Sequence, residues 1–206
     1  MDANDVRRTW ADRSGEFSPE YYAYYGPNET SESLVRLFER VLDPTARILE
    51  LGCGPGRHLS HLRDHGFENL HGIDINEESF EVMAEAYPDL ADEGTFYADA
   101  IEHTVTEFED GYFDVLYSIE TLQHIHPDDE WVFEELARVT SEYVVTVENE
   151  GDDSQPPSER GVNESEYDFP LYYRDWRAVF TSFGFTEVES KSEDRDTLRV
   201  FRRTEQ

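Results

Sequence analysis

Three acids and one glycine-rich run carry the chemistry that can be read from this chain. The run is Glu50-Leu51-Gly52-Cys53-Gly54-Pro55-Gly56. Glycine accepts positive φ and leaves no Cβ between the backbone and an approaching ligand. A helix beginning just beyond the run would offer unpaired N–H groups to a carboxylate or phosphate. A dinucleotide-binding turn reads G-x-G-x-x-G and would need glycine at position 57. That position is Arg57, and the third glycine comes one place early, which counts against NAD or FAD. Glu50 sets a carboxylate at the mouth of the turn, suited to a cation such as an α-amino group or a sulfonium. Asp74 can accept both hydroxyls of a ribose at once, and Asp99 can accept an adenine amino group. A plain strand-to-helix turn needs the same glycines, and in an acidic chain a single Asp is most often surface charge. The case for a site depends on where these residues are placed.

The elements place them together. Residues 47–51 form a short apolar strand that ends in the glycine run. Before it, Leu34, Leu37, Phe38, Val41 and Leu42 share one helical face from Ser31 onward, and Asp43-Pro44 ends the helix. Helical spacing resumes over 58–62 and stops at Gly66. A second strand over 70–74 ends in Asp74 and leads to a helix over 77–87 stopped by Pro88. A third strand, 95–98, runs into Asp99, and a fourth covers 113–118. A helix over 128–139, a strongly β-branched fifth strand over 143–147, a helix through Trp176, Val179, Phe180 and Phe183 and two final strands over 185–190 and 197–202 complete the pattern. Residues 150–169 lack apolar periodicity and read as a long loop. Strands alternating with helices predict an α/β fold, a Rossmann-like doubly wound sheet that is mainly parallel. Such sheets bind ligands beyond the carboxyl ends of their strands. Three acids at three successive strand ends, in register with the turn, are hard to assign to chance.

Other side chains invite two readings each. His124 lies in Ser118-Ile119-Glu120-Thr121-Leu122-Gln123-His124-Ile125-His126-Pro127. A neutral imidazole there could take a proton from an acceptor, or could pack under the sheet edge. His126, just before Pro127, reads as a turn residue, and His58, His61 and His65 read as partly exposed helix positions. No second histidine or cysteine stands at ligand spacing, so no metal site is expected. Tyr21, Tyr22, Tyr24 and Tyr25 form either a lid over a ligand or an aromatic cluster that packs the segment down.

Composition bounds the partners. The chain has 206 residues with 48 Asp plus Glu against 17 Lys plus Arg, a formal net charge of -31. The only lysine is Lys191. A general nucleic-acid or anionic-membrane binder needs a basic face that this balance denies. One cysteine, Cys53, excludes an internal disulfide. The charged N-terminal residues do not form a signal peptide, and no apolar run approaches a membrane span, so a cytoplasmic protein is expected. Carboxylates spread along the whole chain with lysine nearly absent resemble the proteins of extreme halophiles, whose surfaces work in screening salt.

Taken together, residues 48–62, the acid after Gly72-Ile73, Ala98-Asp99-Ala100 and Phe113-Asp114-Val115-Leu116-Tyr117-Ser118 resemble the class I S-adenosylmethionine-dependent methyltransferases of the small-molecule type. The likeness spans roughly residues 10–185. It implies seven strands, the last antiparallel and inserted beside the fifth, in one domain over 1–206. That domain would have a helical or lid segment at 1–42, a core at 46–203 and the 150–169 loop. It implies S-adenosyl-L-methionine as cofactor, with Glu50, Gly52, Cys53, Gly54 and Gly56 around its methionine part. Asp74 and Ile75 would serve the ribose, and Asp99 and Ala100 the adenine. Ser118 and Ile119 would border the transferring methyl, His124 matches a position that is often histidine, and Tyr21, Tyr24 and Tyr25 would close over the substrate. The expected acceptor is a small molecule: the Asn-Pro-Pro-Tyr type of signature that marks base amino-methylation is absent after the fourth strand. An NAD-linked oxidoreductase and a non-catalytic cofactor-binding module in a complex remain alternatives at this point.

Overall fold

The computed structural model describes residues 1–151, 169–192 and 195–204, and the backbone at 162–163. The chain opens with helix α1 (Ala3–Ala11) and divides into two compact units, one of residues 10–104 and one of residues 1–9 with 105–206.

In the unit of residues 10–104, helix α2 (Pro19–Tyr25) is capped by Ser18, whose side chain accepts the Tyr21 N–H. Helix α3 (Glu29–Val41) starts two residues before the expected Ser31, because Asn28 and Ser31 form a reciprocal capping box. Its buried face is Leu34, Val35, Leu37 and Phe38. Strand β1 (Arg47–Leu51) is buried after its first residue, and it leads through the glycine run into α4 (Arg57–Asp64). Strand β2 (Asn69–Asp74) pairs in parallel with β1, setting Glu50 opposite Gly72. Parallel strands are covered on both faces, which is why their sequences read as short apolar runs rather than alternating ones. Helix α5 (Glu78–Ala86) ends near Pro88 as expected, but Pro88 also opens a further helix, α6 (Pro88–Glu93). Proline is well placed there, since the first helical N–H has no partner to lose. Strand β3 (Thr95–Ala98) pairs in parallel with β2, with Asp74 opposite Ala98, and the short helix α7 (Ile101–Thr104) follows.

The second unit carries β4 (Phe113–Ile119), α8 (Val132–Val139), β5 (Thr140–Glu148), the two-residue strands β6 (Val162–Asn163) and β7 (Leu171–Tyr172), α9 (Trp176–Ser182), β8 (Phe185–Ser192) and β9 (Thr197–Arg203). The expected helix over 128–139 is shorter than its pattern. Pro127–Asp129 forms a 3-10 turn capped by His126, and α8 begins at Val132. Strands β4 and β5 are parallel, while β9 runs antiparallel to both β5 and β8 and lies between them. The last strand is therefore the inserted antiparallel one. Within the expected 150–169 loop, Val162–Asn163 pairs antiparallel with Leu171–Tyr172, so that stretch contains a strand; 152–161 and 164–168 lie outside the described residues. Trp176, Phe180, Phe201 and Val144 are fully buried in this unit's core, with the Phe133 ring edge-on to Trp176 at 5.3 Å.

The fold class is the expected one: a Rossmann-like, seven-stranded, mainly parallel sheet with its last strand antiparallel.

Candidate functional site

The glycine run folds into a turn braced from β2. The Gly54 N–H donates to Asp74 Oδ2 at 2.7 Å, and Gly54 and Gly56 have φ of 51° and 82°, in the left-handed region that glycine enters without a Cβ penalty. The Cys53 N–H donates to the Ile73 carbonyl at 3.0 Å, carrying the β1–β2 contact two residues past the strand. A Cβ on Gly72 would lie 2.6 Å from Cys53 Sγ, and one on Gly56 would lie 2.6 Å from Leu90 Cδ2 and 2.9 Å from the Met83 methyl. The turn is thus packed from both sides, while among the described residues its Gly54 face meets only the Tyr22 ring, 4.0 Å from where a Cβ would stand.

Asp74 ends β2 where it was expected, and its carboxylate is already at work. Oδ1 accepts the Asn76 N–H at 2.8 Å and the Ser79 hydroxyl at 3.2 Å. With about two acceptor sites per oxygen, Oδ1 is filled and, among the described residues, Oδ2 keeps one. Burial raises its pKa, and the backbone donors at Asn76 and Gly54 work against that. Ile75 is half-buried beside it. Asp99 is exposed; its Oδ1 accepts the Ala100 N–H at 2.7 Å and faces His103 Nδ1 at 3.1 Å. Ala100 itself is buried. Glu50 is buried near the end of β1. Burial, then the charges of Asp74 and Glu50, push the Cys53 thiol well up, so it stays protonated.

Arg57, the residue that spoils the dinucleotide pattern, opens α4 and stacks its guanidinium 4.8 Å from the Tyr22 ring centre. Its Nε donates to His58 Nε2 at 3.1 Å. His58 must then carry its proton on Nδ1, which donates to Ser31 Oγ at 2.8 Å. His58 was expected to be partly exposed and is instead buried, because this relay satisfies both ring nitrogens. Burial and the Arg57 charge hold its pKa well below the ordinary value. His61 lies against Glu32 at 3.1 Å, and His65 is exposed.

The tyrosines split. Tyr24 and Tyr25 are 85% and 61% exposed, Tyr21 packs on Tyr25 at 4.9 Å, and Tyr22 comes up to the glycine turn at Gly54. Sequence reasoning also passed over Asn76, whose Nδ2 donates to the Arg13 carbonyl at 3.2 Å, tying the N-terminal stretch to the end of β2. The signal was present: Asp-x-Asn after a strand is a turn in which the Asp side chain takes a backbone N–H two residues on.

In the second unit, β4 ends in Ser118, fully buried, and Ile119, half-buried. Glu120 follows with φ of 51°, its N–H donating to the Val147 carbonyl at 2.8 Å. The fully buried Glu148, at the end of β5, was not anticipated. Its Oε1 accepts the Ser118 hydroxyl and the N–H groups of Thr121 at 3.2 Å and Leu122 at 3.0 Å. Its Oε2 accepts the Gln123 N–H at 3.2 Å. Burial raises its pKa to about 7 against these donors. His124 sits in the 3-10 turn Leu122–His124, edge-on to Phe169 at 5.1 Å. Its Nδ1 donates to the Pro170 carbonyl at 3.4 Å, which makes Nε2 the basic nitrogen, and burial lowers its pKa to about 4. His126 is the turn residue expected, with Nδ1 accepting the Asp128 N–H at 3.1 Å. Arg174 is buried and ties the segment down, donating to the carbonyls of Ile125 at 2.7 Å and Tyr172 at 3.2 Å and to Glu130 Oε1 at 3.0 Å.

Among the described residues no group of three or more His, Cys, Asp and Glu could hold a metal ion, and no helix is long and apolar enough to cross a membrane.

Residues 48–142 match the family described as Methyltransferase domain. No curated protein matches the chain. Solved structures do. The magnesium protoporphyrin IX methyltransferase of Synechocystis PCC 6803, bound to SAH, has a TM-score of 0.71 at 13% identity, covering 98% of this chain and 100% of that one. The 1,6-didemethyltoxoflavin-N1-methyltransferase of Burkholderia thailandensis, with 1,6-didemethyltoxoflavin and S-adenosylhomocysteine bound, has a TM-score of 0.66 at 15% identity, covering 98% and 84%. The [4+2]-cyclase SpnF has a TM-score of 0.69 at 13% identity, covering 95% and 86%. At these identities the likeness is one of fold, and the last case shows the fold carrying other chemistry.

Proposed function

We propose, from the methyltransferase domain at residues 48–142 and the class I fold around it, that the chain transfers a methyl group from S-adenosyl-L-methionine to a small-molecule acceptor. The observation that carries this reading is the glycine turn held open by Asp74. Its backbone is braced at Gly54, no Cβ stands on its face, and acidic groups lie at the ends of β1, β2 and β3.

When bound, the cofactor supplies a methyl group already activated on a sulfonium, so the protein's task is alignment and exclusion of water. In this reading Glu50, Gly52, Cys53, Gly54 and Gly56 receive the methionine part, the buried Glu50 carboxylate answering its positive charge. Asp74 offers the open acceptor site of Oδ2 to a ribose hydroxyl, with Ile75 alongside, and Asp99 and Ala100 take the adenine. Tyr22, one of the four tyrosines of the expected lid, covers the turn, and Tyr21, Tyr24 and Tyr25 close over the substrate. Ser118 and Ile119 border the methyl. His124, neutral at pH 7 with Nε2 as its basic nitrogen, takes the acceptor's proton where one must leave. Two structural neighbours are named for small-molecule acceptors, and a net charge of -31 argues against a polyanionic one. The same charge and the protonated, buried thiol suit a reducing, salt-rich cytoplasm, and we read 1–206 as one methyltransferase domain.

Calorimetry in molar salt with S-adenosylhomocysteine and with NADH tests the reading. Binding of the first and not the second is expected, and NADH alone would end it. A metabolite pool incubated with methyl-labelled cofactor should then yield a labelled product. Affinity with no product from any pool would leave a binding module instead.

A further inference from the structure

We propose that Glu148 is a positioning residue for this transfer: its carboxylate holds the backbone turn at 121–123 that presents His124, and it loosens that turn on taking up a proton. The purpose assigned to the turn rests on the methyltransferase reading. The grip itself rests on geometry alone.

Four donors converge on one buried carboxylate, the Ser118 hydroxyl and three consecutive backbone N–H groups at Thr121, Leu122 and Gln123. The first N–H groups of a helical turn have no partner within the turn. Here the acceptor comes from the end of a neighbouring strand, 25 to 27 residues further along the chain. The next residue is His124, whose ring is fixed from the other side by the Pro170 carbonyl. Gln123 returns the contact, its Oε1 accepting the Asn149 N–H at 2.9 Å.

A carboxylate only accepts, whereas a carboxylic acid must donate from one oxygen. Three of the four groups around Glu148 are N–H donors, so protonation removes at least part of the grip. Burial opposes the charge and the donors favour it, and the balance falls at about 7, where both forms are populated. The neighbouring charges are engaged elsewhere. Arg174, whose cation feels Glu148, is bound to Glu130 and two carbonyls. Glu150 and Arg199 of β9 pair with each other at 2.6 Å and 2.8 Å. Glu120 pairs with Arg195, and His124 on the turn is neutral.

Amide hydrogen exchange on the native chain at pH 6 and pH 8, corrected for intrinsic rates, tests the grip without an acceptor. A group titrating near pH 7 predicts protection of the Thr121, Leu122 and Gln123 amides about tenfold greater at pH 8. The His124 ring nitrogens should shift with the same midpoint while the ring stays neutral. E148Q should abolish the pH step, and E148D should restore part of it. Equal protection at both pH values in the native chain overturns the proposal, and this arm decides even where E148Q does not fold. A step that persists in a folded E148Q also overturns it. Calorimetry with S-adenosylhomocysteine on the same samples keeps the two readings apart. No binding by the native chain removes the methyltransferase reading, and leaves the exchange result to stand on its own.

Discussion

The Gly54 N–H and the Asp74 carboxylate lie 2.7 Å apart, so the acid at the end of β2 braces the glycine turn from within the chain. Sites fixed in advance spend less binding energy on ordering themselves. Asp74→Ala removes the brace together with the acceptor offered to a ribose, and the loss of a charged hydrogen bond should weaken S-adenosylhomocysteine binding by ~1–3 kcal/mol. Calorimetry reads this directly, and unchanged affinity would refute the ribose assignment.

Gly56 and Gly66 make a matched pair. Both have positive φ, 82° and 90°, but a Cβ on Gly66 meets nothing within 4 Å while one on Gly56 collides with Leu90 and Met83. Gly66→Ala should cost only the left-handed backbone term, about 1–2 kcal/mol. Gly56→Ala adds overpacking and should cost about 3 kcal/mol or more. Urea unfolding of the two variants compares them, and equal losses would mean the α5–α6 contact yields freely.

Arg174 spreads its guanidinium over Ile125, Tyr172 and Glu130, under the rings of Phe133 and Trp176. Lysine keeps the charge and loses the fork. Arg174→Lys should therefore cost about 2–3 kcal/mol, and a variant as stable as the native chain in urea would show that the fork is dispensable.

Stability should fall on mild acidification. His58 and His124 are held neutral in the fold, their pKa values depressed by burial. The unfolded chain takes up those protons near pH 6.5, so their contribution is present above 6.5 and lost as pH falls. The buried His58 costs about 1.4 kcal/mol for each pH unit below that point. Glu148 acts in the opposite sense: its raised pKa favours the fold below 4.5, a contribution lost as pH rises through about 7. Denaturation at pH 7.5, 6 and 5 should show the net fall, and His58→Gln should reduce the slope by about one proton. A slope that this variant leaves unchanged would contradict the buried neutral imidazole.

Salt should stabilise the chain. With a net charge of -31, self-repulsion opposes compaction, and raising the ionic strength from 0.1 M to 1 M shortens its range from about 10 Å to about 3 Å. Thermal unfolding in KCl should move upward across that range, and a flat response would argue against a surface shaped for brine.

Much of this architecture is legible in the residues themselves. β1 and β2 announce themselves as short apolar runs ended by turns, because buried parallel strands have no polar face to interrupt them. The glycine run and Asp74 stand out because their demands are local: positive φ at one place, an acid at a strand end. What stayed hidden depends on contacts distant in sequence. His58 looks like a surface residue until Ser31 and Arg57 close around it. Glu148 is one acid among 48 acidic residues, and only the folded chain brings the turn at 121–123 onto it. Pro88 misleads in a different way, since proline ends one helix and begins another with equal ease.

The solitary thiol of Cys53 sits inside the glycine turn, 3% exposed, with its sulfur filling the space that Gly72 leaves clear. Its alkylation has to await an opening of that bend, since thiolate and reagent cannot meet while it is shut. The chain therefore carries its own reporter: the rate of labelling by a maleimide counts the openings, and S-adenosylhomocysteine seated on the bend should slow it in proportion to occupancy.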